Sequence, residues 1–289
     1  MEDRTKGIIY MLTTVILWGF SFIGTKVLLN YLDPATIGFL RFFIATILLS
    51  AICRKKADYT RKELQYVMIA GFLGITSFYM FENVALTYTT ATNASLIGAT
   101  VPIFFLVTVD ILKRTFSNPL KYFGMLIAFV GVGLLILNGK FNLALNPLGD
   151  LLMFGSVFSW VFYTIIIDKL RSKDMLILSR DITLSGTIFL LPFALFEARN
   201  MRIDIVSQSD LLIVIVALMY LAILASALGF LLWNKAIGLT GSSTTTNGLY
   251  LIPPITILGD SIILGNIPNL YVLVGAVLVL AGVYLSERA

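Results

Sequence analysis

The sequence has no histidine, one cysteine and few charges, and each shortage removes a class of function. Without histidine the chain cannot build a Ser–His dyad, an H-E-x-x-H zinc site or an imidazole-ligated haem. Cys53 alone forms neither an intramolecular disulfide nor a thiolate metal cluster. No G-x-x-x-x-G-K-[ST] stretch occurs, so no loop is present with which to bind and hydrolyse ATP. Paired Asp-rich motifs for a magnesium-bound diphosphate are also missing. A Ser–Lys or Asp-based membrane enzyme is the residual alternative from that class. The expectation is a non-enzyme with no catalytic residue, no metal and no cofactor. A channel would need a carbonyl filter or a ring of charge, and neither pattern is visible.

Charged residues make up 13% of the 289, about half of what a soluble domain carries. Hydrophobic residues make up 58%, and the mean hydropathy is +0.93. So much apolar surface has lipid as its solvent. Ten apolar stretches, each near the roughly 20 residues that cross a bilayer core, run over 8–29, 34–53, 64–85, 92–112, 120–138, 148–168, 175–197, 210–232, 241–264 and 268–286. The first is too long for a signal-peptide core and lacks a small-residue cleavage site, so it reads as a membrane helix. The net charge of +5 reflects basic residues in short loops, not a nucleic-acid surface. With the N-terminus inside, fifteen Lys and Arg fall in inner segments; only Lys26, Lys140, Arg199 and Arg202 fall in outer ones. Both termini are therefore expected to be cytoplasmic.

An internal repeat divides the chain. An offset of 142 superimposes Gly7 on Gly149, Trp18 on Trp160 and Phe20 on Phe162. An offset of 151 superimposes Asn83 on Asn234, Ala85 on Ala236, Pro102 on Pro253, Gly124 on Gly275 and Gly131 on Gly282. Two units, 1–141 and 142–289, follow. Five helices in each, an odd number, require opposite orientations. The expected fold class is thus an all-α integral membrane protein of ten transmembrane helices in two inverted five-helix repeats, with N-terminus and C-terminus cytoplasmic. Substrate sites of such transporters lie near the midplane at the repeat interface.

Three segments carry a family resemblance. Trp18 to Lys26 reads WGFSFIGTK, similar to a W-G-x-x-F-x-x-x-K signature; Ala85 to Phe104 and Gly275 to Leu285 look like later passages of the same pattern. Together they resemble the EamA-type transporters of the drug/metabolite transporter superfamily, over essentially the whole chain. The family often has L-G-E before the last helix of each half; here Leu264-Gly265-Asn266 and Thr115 stand instead, so no acid role is carried over. The resemblance implies a ten-helix exporter in the cell membrane, with the fifth and tenth helices peripheral. Its implied substrates are small molecules such as amino acids, related metabolites and cationic drugs. A lipid or headgroup flippase of the same fold is the alternative.

Ionisable groups within a bilayer are costly and become functional candidates. Lys26, Arg41, Glu82 and Asp260 fall toward the outer side; Asp110, Asp168, Arg180, Asp181 and Lys235 toward the inner. Two charge-paired gates are one reading; the plainer one pairs Asp110 with Lys113 and lets Asp168 and Lys235 snorkel. Midplane aromatics and hydroxyls, Trp18, Ser21, Tyr79, Trp160, Tyr163, Tyr220 and Tyr250, with Ser156 and Thr256, suit an amphipathic organic substrate. Proton coupling would use Glu82 or Asp260. Pro102 and Pro253-Pro254 are expected to bend helices. The polar run Gly241–Asn247 either faces water or substrate or starts a helix at the interface. The seven-residue glycine spacings at 124/131 and 275/282 give faces for close packing and leave a homodimer open.

Overall fold

The computed structural model describes residues 2–89, 91–137, 146–199, 208–255 and 270–289. The expectations for Asp260, Thr256 and Leu264-Gly265-Asn266 lie outside these residues. Nine helices among the described residues are long and apolar enough to cross a membrane. They are α1 Glu2–Leu28, α2 Pro34–Ile52, α3 Arg61–Tyr88, α5 Val101–Lys113 (its span counted from Leu96), α6 Pro119–Leu137, α7 Pro147–Lys169, α8 Met175–Ala198, α9 Asp210–Thr240 and α11 Leu270–Arg288. Shorter helices are α4 (Ala91–Gly98) and α10 (Ser242–Asn247), the latter followed by a 3-10 turn at Gly248–Leu251.

Local chemistry explains most boundaries. Pro34, Pro119 and Pro147 sit in first turns, where a missing N–H costs nothing. Thr60 and Glu63 close a capping box at the start of α3, and Asp174 caps α8 through Leu176 and Ile177. α1 begins six residues before the expected span because Glu2 and Lys6, one turn apart, pair at 2.7 Å. Pro102 does more than bend its helix: α4 ends at Gly98 and α5 begins at Val101. α9 runs to Thr240, eight residues past the expected end, and stops at Gly241, whose φ of 88° only glycine adopts freely.

α3 and α9 each contain a π-helical stretch, Phe72–Ser77 and Tyr220–Leu228. The 151-residue offset of the repeat carries 72–77 onto 223–228, so both widened turns occupy equivalent places. In the bundle α1 packs on α9, α3 on α7, α2 on α8 and α6 on α11. The last pair meets through its glycines: a Cβ on Gly131 would stand 2.8 Å from the Gly275 carbonyl oxygen, and one on Gly124 2.7 Å from that of Gly282. These faces are occupied within the chain, so they do not offer a dimer surface.

Candidate functional site

The centre of the bundle is an aromatic cluster on α1, α2, α3, α7 and α9. Trp18 meets Trp160 edge-on with centroids 5.2 Å apart, and Trp233 at 5.0 Å. Phe230 packs on Trp18 and Trp160, both at 5.8 Å, and Phe42 on Tyr79 at 4.8 Å. Offset and edge geometries of this kind favour ring quadrupoles beyond simple burial.

Against this cluster lies a cavity of about 90 Å³, small beside the roughly 300–1,000 Å³ of ordinary ligand pockets. Trp18, Ser21, Tyr79, Glu82, Ser156 and Trp160 line it, and Leu249, Ile252 and Pro253 close one side. Four of the seven aromatic and hydroxyl candidates therefore converge: Trp18, Ser21, Tyr79 and Trp160. Tyr163 is fully buried in the layer behind, its hydroxyl donating to Asn234 Oδ1 at 2.7 Å. Tyr220 sits between α9 and α1, donating to the Leu17 carbonyl at 2.6 Å. Tyr250 is buried in a separate cluster with residues of α6 and α11.

The embedded charges lie in different surroundings. Glu82 is buried and faces the cavity; among the described residues no hydrogen bond or ion pair holds it. Arg41, 1% exposed, donates from Nε to Ser226 Oγ at 2.9 Å and lies 4.4 Å over the Tyr79 ring. Among the described residues its Nη2 finds no acceptor. Lys26 is exposed and makes no ion pair with Glu82. Arg180 bonds its sequence neighbour Asp181 at 2.7 Å and the carbonyls of Cys53 and Lys55, far from the cavity. Burial, with Asp181 beside it, pushes the nearby Tyr59 phenol above its ordinary range. Asp110 pairs not with Lys113 but with the Ser117 N–H and hydroxyl and the Tyr122 hydroxyl. Asp168 stands 3.8 Å from Arg171, and Lys235 lies over Tyr10. The polar run after Gly241 faces protein: Asn247 donates to Glu287 Oε1 and Ser286 Oγ, and Thr244 to Glu287 Oε2.

Residues the motifs did not single out complete the site. The Trp18 indole N–H donates to the Ala225 carbonyl at 2.9 Å, inside the π stretch of α9. Gly229 admits it, since a Cβ there would lie 2.8 Å from Nε1. The repeat mate of Ala225 is Gly74, in the π stretch of α3, yet among the described residues Trp160 Nε1 has no acceptor. Trp233, among the described residues also without an acceptor at Nε1, lies one residue beyond the expected eighth span. Its one signal is the 151-residue offset, which sets it opposite Glu82.

Apolar helices around a small chamber that Glu82, among the described residues, lines with a carboxylate fit a multi-pass membrane transporter. The chain belongs to the EamA-like transporter family, which matches residues 5–137 and again 147–288. It is 32% identical to an uncharacterized transporter of Archaeoglobus fulgidus, covering 99% of this chain and 98% of that one. It is 26% identical to a probable amino-acid metabolite efflux pump of Salmonella typhimurium, covering 98% and 95%. A probable terminal-alkyne amino-acid exporter of Streptantibioticus cattleyicolor is 23% identical over 98% and 94%. A solved crystal structure shares the fold with a TM-score of 0.80 at 16% identity, covering 99% and 97%.

Proposed function

We propose that this protein is a secondary transporter of the cell membrane that exports small amine-bearing metabolites such as amino acids by alternating access. The observation that carries the substrate class is Glu82: a buried carboxylate, in no hydrogen bond or ion-pair contact among the described residues, facing a chamber walled by Trp18, Tyr79 and Trp160. Rings supply apolar contact and cation–π attraction, and the carboxylate takes the ammonium group. The same carboxylate exchanges a proton for the substrate cation, which links transport to a pH gradient. Two relatives bear amino-acid exporter names, which agrees with this class.

Alternating access rests on asymmetry. In the proposed arrangement the units 1–141 and 142–289 are inverted repeats of five helices each, ten in all, with both termini cytoplasmic. Mutual packing of α1 on α9 and of α7 on α3, and the matched π turns, support it. Trp18 is bonded to one π stretch while Trp160 lacks its counterpart. In the opposite-facing state Trp160 would donate to the Gly74 carbonyl and Trp18 would let go. The chamber also needs its walls to part before a metabolite enters, given its volume. Uptake of labelled amino acids into proteoliposomes, with and without a pH gradient, is the test. Saturable, gradient-dependent uptake is expected; transfer of lipid headgroups without amino-acid flux would replace this reading with a flippase.

A further inference from the structure

A second concavity lies well away from the chamber, where α2 ends and α3 begins. It is an open groove of about 740 Å³ between α3 and α8. Its walls are apolar: Val67 and Met68 from α3, Leu184, Ile188 and Phe189 from α8. Arg54, Lys55 and Lys56 stand along its rim, all exposed.

The rim is built, not draped. The segment between α2 and α3 has no regular structure, yet it is tied down at both ends. Arg180 Nη1 holds the carbonyls of Cys53 and Lys55, at 3.0 and 2.6 Å, and Lys173 Nζ holds that of Asp58 at 3.1 Å. Two of the acids nearby are already engaged, and the exposed Asp58 forms no ion pair with the rim. Asp181 is bonded by Arg180, and Glu63 by Lys173 at 2.9 Å. Among the described residues no acid lies within ion-pair distance of Arg54, Lys55 or Lys56. Three uncompensated cations thus share one edge, at the level where α2 leaves the apolar zone. From Arg180 to Phe189 the groove follows about 13 Å of helix at roughly 1.5 Å per residue. That is close to half of the roughly 30 Å hydrocarbon core, the depth of a single leaflet.

We infer that this groove is a binding site for an anionic glycerophospholipid, with its phosphate on Arg54, Lys55 and Lys56 and an acyl chain between α3 and α8. A zwitterionic lipid would offer the same chain, but its own ammonium group would meet the three cations. A soluble phosphate ester would offer the charge and leave the apolar walls in contact with nothing. The site would clamp α8 to the α2–α3 connection, joining the two halves of the chain at one membrane surface.

The test uses the full-length protein in detergent micelles, titrated with phosphatidylglycerol or phosphatidylcholine of identical chains and read by native mass spectrometry. Wild type should retain one phosphatidylglycerol more tightly than phosphatidylcholine. Each basic side chain contributes about a fivefold attraction, so R54Q/K55Q/K56Q should lose on the order of 100-fold of that preference. Because all three side chains are exposed, the variant should elute and melt as wild type does. K113Q/R114Q, at a separate basic turn, should keep the preference. Ile188→Trp, which fills the groove and leaves the rim intact, should weaken both lipids together. Equal loss in K113Q/R114Q, an unchanged preference in the triple variant, or displacement of the lipid by millimolar glycerophosphate would overturn the assignment.

Discussion

Among the described residues three charged side chains are buried, Arg41, Glu82 and Asp110, and their surroundings separate structure from function. Asp110 is met by three donors from Ser117 and Tyr122, which ties α5 to α6. Arg41 has a hydroxyl and a ring but, among the described residues, its Nη2 group has no acceptor, a cost accepted inside a packed core. Glu82 alone faces a cavity. Glu82→Gln keeps the shape and removes the charge; a hydrogen bond to a charged group is worth about 1.5–3 kcal/mol. Uptake of an amine-bearing substrate should therefore fall at least about tenfold at low concentration and lose its dependence on the pH gradient. Normal, gradient-driven uptake by this variant would remove Glu82 from the mechanism. The position of Glu82 in a span was legible from sequence, since any embedded carboxylate stands out. That it faces the chamber while Arg180 faces a loop was not, because depth along a helix says nothing of direction around it.

At the scale of elements, the π turns and the glycine faces make opposite demands. A π turn widens the helix and frees a carbonyl, which lets Ala225 accept from Trp18. Trp18→Phe deletes that bond, worth about 1 kcal/mol, or roughly a fivefold change in the balance between inward- and outward-facing states. Single cysteines placed at each mouth in a Cys53→Ser background should show labelling move from one mouth to the other. Trp160→Phe removes no bond in this state and should shift labelling the opposite way or leave it; a shift in the same direction from both variants would refute the reciprocal latch. The α6–α11 pair tolerates no added volume. Gly131→Leu would drive a Cβ to within 2.7 Å of the Val279 nitrogen. Overpacking of this kind costs about 1–3 kcal/mol, so the melting temperature in detergent should fall by several degrees while a Leu at exposed Val130 leaves it unchanged. The glycine spacing announced this packing in the sequence. No residue type announced the π turns, whose geometry depends on what packs beside them.

For the whole molecule, the proposed inversion of units 1–141 and 142–289 predicts a common location for the two ends. Green fluorescent protein fused after Ala289 should fluoresce, and alkaline phosphatase fused there should be inactive. The same phosphatase after Asp33, in the first connection, should be active. Active phosphatase at Ala289 would break the ten-helix, both-ends-inside arrangement and, with it, the odd number of helices per half that inversion requires.

Hydropathy and loop charge are local sums, and they alone determined that this chain spans a membrane many times. They also located α2, α6, α7 and α8 to within a residue or two of their described ends. The repeat, carried by Trp18/Trp160 and the paired glycines, was equally a property of the sequence. Tertiary structure decided which embedded side chains meet. It placed Tyr163, Tyr220 and Tyr250 behind or beside the chamber and not in it. It set Arg180 and Asp181 against each other beside the α2–α3 connection, and it brought in the Ala225 carbonyl, a group every residue possesses. Backbone acceptors and rotations about a helix axis carry no compositional mark. They become specific only when neighbouring helices leave one direction open.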